Sequence, residues 1–346
     1  MFKREITNLV KTKSLSIGHS PKILIQSMCD IKTSNIDEVV NQINDCASLG
    51  ADLMRVSVLD YDDANAIKEI KKKIKIPLVA DIHFDYKLAI ASIENGADKI
   101  RINPGNIGSK DNIVKILEKA KEYDVAIRIG VNSGSLDKKY SNYKNLHVAM
   151  VKSALEFIDF FEKNHFYNMV ISLKASDPIE TIKAYKLAAK KIKYPLHVGI
   201  TEAGSKDISL IRSSATLSPI LLSGIGNTIR ISITGKPQDE ILAANRLLSD
   251  LKLKNNFVRI ISCPTCGRTM VDLKKIVRQL EPELIKINKN LTVAIMGCIV
   301  NGPGEAKNAD YGIAGGNNCF ALFKKGKIIK TVDEKDAIEE LLKIIK

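Results

Sequence analysis

The sequence predicts an α/β chain: an N-terminal (β/α)8 barrel followed by a smaller α+β domain. Three observations lead there. Eight short apolar runs alternate with amphipathic stretches between residue 22 and about residue 235, the usual length of such a barrel. No G-x-G-x-x-G follows the first run, where a doubly wound dinucleotide-binding sheet would carry it. Beyond residue 253 the regular alternation stops, so the domains are expected at 1–253 and 254–346.

The barrel strands are expected in KILIQSM, ADLMRVSV, IPLVADIH, ADKIRINP, VAIRIGVN, NMVISLKA, YPLHVGIT and NTIRISIT. The first helix is expected over 35–49, where Ile36, Val39, Val40, Ile43 and Ala47 follow the i, i+3, i+4, i+7 spacing of one helical face. Further helices are expected over 61–74, 84–95, 111–123, 146–163, 178–192, 205–213 and 237–251. Asp62, Asp111 and Asp177 stand at or near helix starts, where a side-chain oxygen can cap free N–H groups. In the second domain a strand over 256–262 precedes a helix over 270–280 and the strand LTVAIMG. A glycine-rich loop follows, then the strands CFALFKK and KIIKTV, joined at Lys325-Gly326, and a final helix over 334–345.

Composition narrows the class. Of 346 residues, 45% are hydrophobic and 27% charged, which fits a globular chain with its own core and not a disordered one. No apolar run approaches the roughly 18–20 residues of a membrane span. The start, MFKREITNLV, carries Glu5 and no apolar h-region, so a cytoplasmic protein without a membrane partner is expected. The net charge of +14 invites a nucleic-acid partner. Aromatic residues are only 5%, with no tryptophan, and no basic patch is interleaved with stacking rings. A lysine-decorated surface is the better reading, with no nucleic acid bound.

Several predicted strands end in a cation: Arg55, Arg101, Arg128, Lys174 and Arg230. Arg101, Arg128 and Arg230 each sit in Ile-Arg-Ile. Alternate strand residues face opposite sides, so isoleucines facing the helices turn the arginines into the barrel mouth. The nearby carboxylates are Asp81 and Glu202, too few to pair five cations. An unpaired buried guanidinium is costly, and phosphate oxygens fit its fork. A multiply phosphorylated ligand is therefore expected at the C-terminal strand ends, where barrel active sites lie. His83, Asn103, Asn106, Asn132, Ser133, Ser135 and Ser232 follow the same strands.

Six cysteines are few for a disulfide scaffold of this size. Cys29 and Cys46 read as packed thiols. Cys263 and Cys266 form C-x-x-C in ISCPTCGR, and Cys298 follows in MGCIVNGPGEA. Thiolates three positions apart can reach one metal from a tight turn. Cys319 could supply a fourth thiolate, although CFALFKK sets it against a core. Glu305 could instead supply a harder, exchangeable ligand. Spacing alone leaves both ligands open, and leaves zinc and iron–sulfur open.

Together these segments resemble the bacterial 4-hydroxy-3-methylbut-2-enyl diphosphate synthases of the methylerythritol phosphate route to isoprenoids. The resemblance runs from about residue 25 to 315 through IQSM, ADIHFDYKLA, KIRINPGNIG, IRIGVNSGSL, ISLKASD, LHVGITEAG, GIGNTIRISIT, ISCPTCGR and MGCIVNGPGEA. It implies a TIM barrel followed by an iron–sulfur domain. It implies a 4Fe–4S cluster on Cys263, Cys266, Cys298 and Glu305, and reductive opening of 2-C-methyl-D-erythritol 2,4-cyclodiphosphate with loss of water. Implied substrate contacts are Arg55, Arg101, Arg128, Asn132, Lys174, Arg230 and Ser232, with Asp81 and His83 nearby and Glu202 at the reacting carbons. Glu202 and Glu305 are the implied catalytic acids, flavodoxin or ferredoxin the electron donor, and a homodimer the assembly, with each barrel meeting its partner's cluster domain. Cys29 stands where the family more often has threonine, and Asn227 where it has aspartate. The long central insertion of the plant-type enzymes is absent. Two rival readings predict a colourless protein: a nucleic-acid-binding zinc ribbon, and a barrel lyase with Lys174 as a Schiff base.

Overall fold

The computed structural model describes residues 2–140, 143–298 and 306–346, apart from the side chains of Ser135 and Lys138. The chain forms two compact units, Met1–Leu247 and Leu248–Lys346.

The first unit opens with a short antiparallel ribbon, β1 (Val10–Lys11) and β2 (Ser16–Ile17). Alternating strands and helices follow: β3 (Leu24–Met28), α1 (Ile36–Ser48), β4 (Leu53–Ser57), α2 (Tyr61–Lys73), β5 (Leu78–Asp81), α3 (Tyr86–Glu94), β6 (Lys99–Ile102) and α4 (Lys110–Glu122). Then come β7 (Ala126–Asn132), α5 (Leu146–Lys163), β8 (Met169–Lys174), α6 (Pro178–Lys191), β9 (His197–Val198), α7 (Lys206–Leu222), β10 (Thr228–Ile229) and α8 (Pro237–Asp250). Strands β3 to β10 pair in parallel, with β10 lying beside β3. A parallel bridge between Ile171 and Leu196 closes the ring, and Ile171 N donates to Pro195 O at 2.9 Å. The expected barrel is present, with β9 and β10 shortened to two residues each.

The helices carry local signals that differ in detail from the expected ones. Asp177 caps α6 by accepting from Glu180 N, with Pro178 at the first helical position. The cap of α2 is Asp60 and that of α4 is Ser109, so Asp62 and Asp111 sit inside the first turn. Acidic residues there still favour the helix through its dipole. Helix α7 runs well past residue 213 and through Pro219. Its buried face is built from Ser209, Ser213 and Thr216 as well as Leu217, Ile220 and Leu221, a stripe too polar to read by hydrophobic spacing.

The strands' first inward residues, Leu24, Leu53, Val79, Ala126 and Val170, form an apolar floor with Val10 and Ile17 of the ribbon. Burying one such side chain stabilises the fold by about 1.5–3 kcal/mol. The barrel is thus stoppered at the N-terminal end of its strands, and its functional groups collect at the other end.

The second unit is a five-stranded sheet ordered β11 (Arg259–Ser262), β12 (Thr292–Met296), β13 (Tyr311–Gly315), β14 (Cys319–Lys324) and β15 (Lys327–Asp333). The first three strands are parallel and the last two antiparallel. Helices α9 (Leu273–Ile285) and α10 (Ala337–Ile345) cover one face, packing Leu273, Ile276, Leu280, Leu341 and Ile345 on Ile295, Ile313, Phe320 and Leu322. The Lys325-Gly326 turn has φ of +47° and +75°, the left-handed backbone of a two-residue hairpin loop.

Strand β13 was not expected, because YGIAG reads as loop. Its glycines answer to packing. A Cβ on Gly312 would lie 2.3 Å from Phe323 Cζ and 2.7 Å from Ala294 O. The Gly312→Ala variant should therefore lose about 1–3 kcal/mol, the usual cost of overpacking. Gly134→Ala, with nothing within 4 Å of its Cβ, should be neutral. Thermal melting checks both; a Gly312→Ala protein that melts with wild type would show that Phe323 turns aside freely.

Candidate active site

The strand-end cations converge. Arg55, Arg101, Arg128, Lys174 and Arg230 line one pocket of about 260 Å³ at the C-terminal end of the barrel. Asp81, His83, Asn132 and Ser232 line it too, as do Met28, Ser172 and Thr201, which the sequence analysis did not single out. Two glycines make the convergence possible. A Cβ on Gly130 would lie 2.7 Å from Arg101 Nε, and one on Gly199 would lie 3.0 Å from Lys174 Nζ. Each lets a long cationic side chain lie across the strand beside its own.

Asp81 is the hub of one side. Its Oδ1 lies 3.1 Å from Arg101 Nη1 and its Oδ2 lies 3.6 Å from Arg55 Nε. His83 Nε2 lies 3.2 Å from Arg101 Nη1 and 3.6 Å from Asp81 Oδ2. Burial alone would raise the Asp81 carboxyl; Arg55, the His83 hydrogen bond and Arg101 outweigh it and hold Asp81 ionised. Burial lowers Arg55 to about 10 against the pull of Asp81.

The second carboxylate is Glu240 of α8, which meets Arg230 at 3.0 Å. This corrects the expected charge balance, which counted Glu202. Glu202 is exposed, has φ +54°, and sits one residue beyond Thr201 without lining the pocket. Glu240 lies on a helix and carries no strand-end signal. Its position in the first turn of the helix after the last strand was the available clue, since barrel helices begin at the mouth.

Two cations remain. Arg128 is 1% exposed, and its Nε and Nη1 have no hydrogen-bond partner among the described residues. Lys174 is buried and forms no ion pair among the described residues. Burial and then the charges of Arg128, Arg230, Arg55 and Arg101 push the Lys174 ammonium well below its ordinary value. One step nearer the floor lies a buried polar layer. Lys99 Nζ donates to Gln26 Oε1 at 3.3 Å, and His197 Nδ1 lies 2.7 Å from Thr228 Oγ1. Burial, followed by nearby cations, pushes Lys99 and His197 well down.

In the second unit, β11 and β12 run in parallel with Ser262 opposite Ile295, so Cys263 and Cys298 follow the C-terminal ends of neighbouring strands. Cys263 Sγ accepts from Gly297 N at 3.2 Å, and Cys266 is exposed. The Arg268 backbone N–H lowers the Cys266 thiol. All three thiols are free, and an N–H bonded to sulfur suits a thiolate ligand. This donor set fits a soft metal centre, although no three His, Cys, Asp or Glu side chains among the described residues already close on one point. Glu305 lies outside the described residues. Cys319 is half-buried and joins neither apolar cluster of this unit, so the core setting expected for it is not found. Cys29 and Cys46 are buried; burial drives the Cys29 thiol up and Cys46 to about 12, so neither is a ready thiolate.

Residues 7–245 match the GcpE TIM-barrel domain model, and residues 259–346 match that of the GcpE protein C-terminal domain. The chain is 52% identical over 344 residues to the 4-hydroxy-3-methylbut-2-en-1-yl diphosphate synthase (flavodoxin) of Caldanaerobacter subterraneus subsp. tengcongensis, covering 99% of this chain and 97% of the relative. It is 47% identical to the Bacillus subtilis protein of the same description, covering 99% and 91%. Among solved structures it is similar in fold to the Plasmodium falciparum HPPK-DHPS with SDX-DHP, at TM-score 0.54 and 13% identity, covering 71% of this chain and 49% of that one. Vibrio fischeri 7,8-dihydropteroate synthase gives 0.51 and 11%, covering 71% and 98%. Such likeness speaks for the barrel alone.

Two outcomes follow from the unpaired cations. Arg128→Met should raise the melting temperature of the ligand-free protein while abolishing tight diphosphate binding, since a buried unpartnered guanidinium opposes folding. A lower melting temperature would mean that Arg128 is satisfied in solution. Diphosphate binding should also take up protons at pH values between those at which Lys174 titrates in the empty and the filled pocket, because an adjacent anion restores its proton affinity. Affinity should then fall as pH rises through the value of Lys174 in the complex. Calorimetry in buffers of different ionisation enthalpy reads the uptake, and Lys174→Met should remove it. Equal heats in all buffers for wild type would show that Lys174 is already charged in the empty pocket.

Proposed function

The chain belongs to the GcpE family, and from that membership we propose how its own residues carry out the family reaction. The chain is a 4-hydroxy-3-methylbut-2-en-1-yl diphosphate synthase. It converts 2-C-methyl-D-erythritol 2,4-cyclodiphosphate to the linear enyl diphosphate, consuming two electrons and, when the product leaves as its trianion, one proton, and releasing water.

The observation that carries the site assignment is that no described carboxylate meets Arg128 or Lys174, in a mouth whose other cations are already matched. A cyclic diphosphate has one ionised oxygen on each phosphorus. Ring opening breaks a carbon–oxygen bond and leaves its electron pair on a phosphate oxygen, so negative charge grows where Arg128 and Lys174 stand. Fixed cations in a water-poor site stabilise such charge without reorganising. Arg55, Arg101, Arg230, Asn132 and Ser232 hold the diphosphate in one pose, with Asp81 and His83 fixing Arg101. Glu202, beside Thr201 at the rim, is the acid that protonates the departing hydroxyl. Its reach into the pocket requires a move of the 201–204 segment.

Cys263, Cys266, Cys298 and Glu305 are the ligands of a 4Fe–4S cluster in the domain over 254–346, while the barrel over 1–253 binds substrate. When bound, such a cluster supplies electrons one at a time. The donor is flavodoxin, as in the relatives' description, or ferredoxin. The active enzyme is a homodimer in which each barrel works with its partner's cluster domain. It acts in the cytoplasm; no helix among the described residues is long and apolar enough to cross a membrane. Family membership displaces the zinc-ribbon and Schiff-base readings.

Anaerobic purification should yield a brown protein with about four iron atoms per chain. Cys263→Ser, Cys266→Ser and Cys298→Ser should each lose the cluster, and Cys319→Ser should keep it. Glu305→Ala should keep most iron with an altered spectrum, whereas Glu202→Gln should keep a native spectrum and lose turnover. Iron retained in Cys298→Ser, or lost in Cys319→Ser, would overturn the ligand set. Mixing Cys298→Ser with Arg128→Met subunits should restore part of the activity; an inactive mixture of exchanged subunits would overturn the shared site.

A further inference from the structure

We propose that Glu240 is a positioning residue for this reaction: it fixes the Arg230 guanidinium that faces the substrate diphosphate. The inference rests on the reading of the pocket as a diphosphate site.

Glu240 is 3% exposed, on a helix outside the ring of strands. Both of its oxygens are fully engaged. Oε2 accepts from Arg230 Nε at 3.0 Å and from Ser27 Oγ at 2.5 Å. Oε1 accepts from Arg230 Nη2 at 3.0 Å and from Ile233 N at 3.0 Å. The pairing is the two-pronged fork of carboxylate and guanidinium, which fixes orientation as well as distance. It consumes one edge of Arg230. The remaining nitrogen, Nη1, lies 3.8 Å from Met28 Sδ, on the side of the pocket.

Three consequences follow. An arginine has several free torsions, and ordering it when ligand binds costs affinity; here the ordering is complete beforehand. The four bonds join β3 through Ser27, the end of β10 through Arg230 and the following loop through Ile233, so the guanidinium is registered to the barrel itself. Glu240 also cancels the charge of Arg230 in the empty pocket, where Arg55 and Arg128 are close enough to repel it. Glutamine keeps the size of Glu240 but brings an NH2 group against partners that are all donors, so it breaks one half of the fork.

The test is a double-mutant cycle on the holoenzyme with Glu240→Gln, Arg230→Met and both together. The readouts are the affinity for inorganic diphosphate and the KM and kcat for the cyclic diphosphate. Glu240→Gln should weaken diphosphate binding and raise KM about tenfold or more, with kcat changed far less and the cluster spectrum native. The double variant should bind no worse than Arg230→Met alone, because Glu240 acts only through Arg230. Ser27→Ala, which removes a single bond and no charge, should raise KM by a smaller factor and guards against a Glu240→Gln protein that fails to fold. Unchanged KM in both Glu240→Gln and Ser27→Ala, or losses that simply add in the double variant, would overturn the inference while leaving the pocket's assignment intact. Wild-type holoenzyme that binds neither diphosphate would overturn the assignment and the inference with it.

Discussion

Excess positive charge confined in a barrel mouth is the constraint on which the rest of this protein depends. Five cations line a pocket that Asp81 also lines, and Glu240 reaches Arg230 from outside its lining. Like charges in a medium of low dielectric repel strongly, and each must be paired, neutralised or supplied with an anion. All three solutions occur. Asp81 serves Arg55 and Arg101, Glu240 serves Arg230, and Lys174 is pushed toward its neutral form. Arg128 is pushed down by burial too, but a guanidinium keeps its proton, and no described carboxylate pairs with it, so the folded chain carries an anion requirement. The cost is borne by the apolar floor and by the helix layer, where isoleucines on the outer faces of the same strands are wholly buried.

The same constraint explains residues that have no chemistry of their own. Gly130 interrupts β7 because the side chain of Arg101 occupies the space, and Gly199, just past β9, leaves room for the Arg230 backbone oxygen and the Lys174 ammonium. The second unit shows a parallel case without charge: Gly312 clears room for the Phe323 ring on the sheet face opposite α9 and α10. In both units glycine marks a place where another residue's bulk has precedence.

Much of this was legible in the order of residues. Ile-Arg-Ile at three strand ends could place its arginine only inward once the isoleucines met the helices. The thiol spacing of Cys263, Cys266 and Cys298 points to metal binding, and the structure sets Cys263 and Cys298 after the ends of neighbouring strands. Less legible were features whose signal is not periodic. Strand β13 was hidden because its glycines depress strand propensity while Phe323, a residue distant in sequence, makes them necessary. Helix α7 was cut short because serine and threonine fill part of its buried stripe.

The sequence by itself determined the barrel, the domain that follows it and the inward cations, since alternation and spacing are local properties of a chain. Only the tertiary structure decided which cation meets which carboxylate. Asp81 reaches Arg55 and Arg101 across neighbouring strands, and Glu240 reaches Arg230 from a helix ten residues on. It also set Glu202 at the rim with a left-handed backbone, away from the balance of charge. Those pairings depend on distances of three to four ångströms between separate elements, which closure of the barrel fixes and no local pattern encodes.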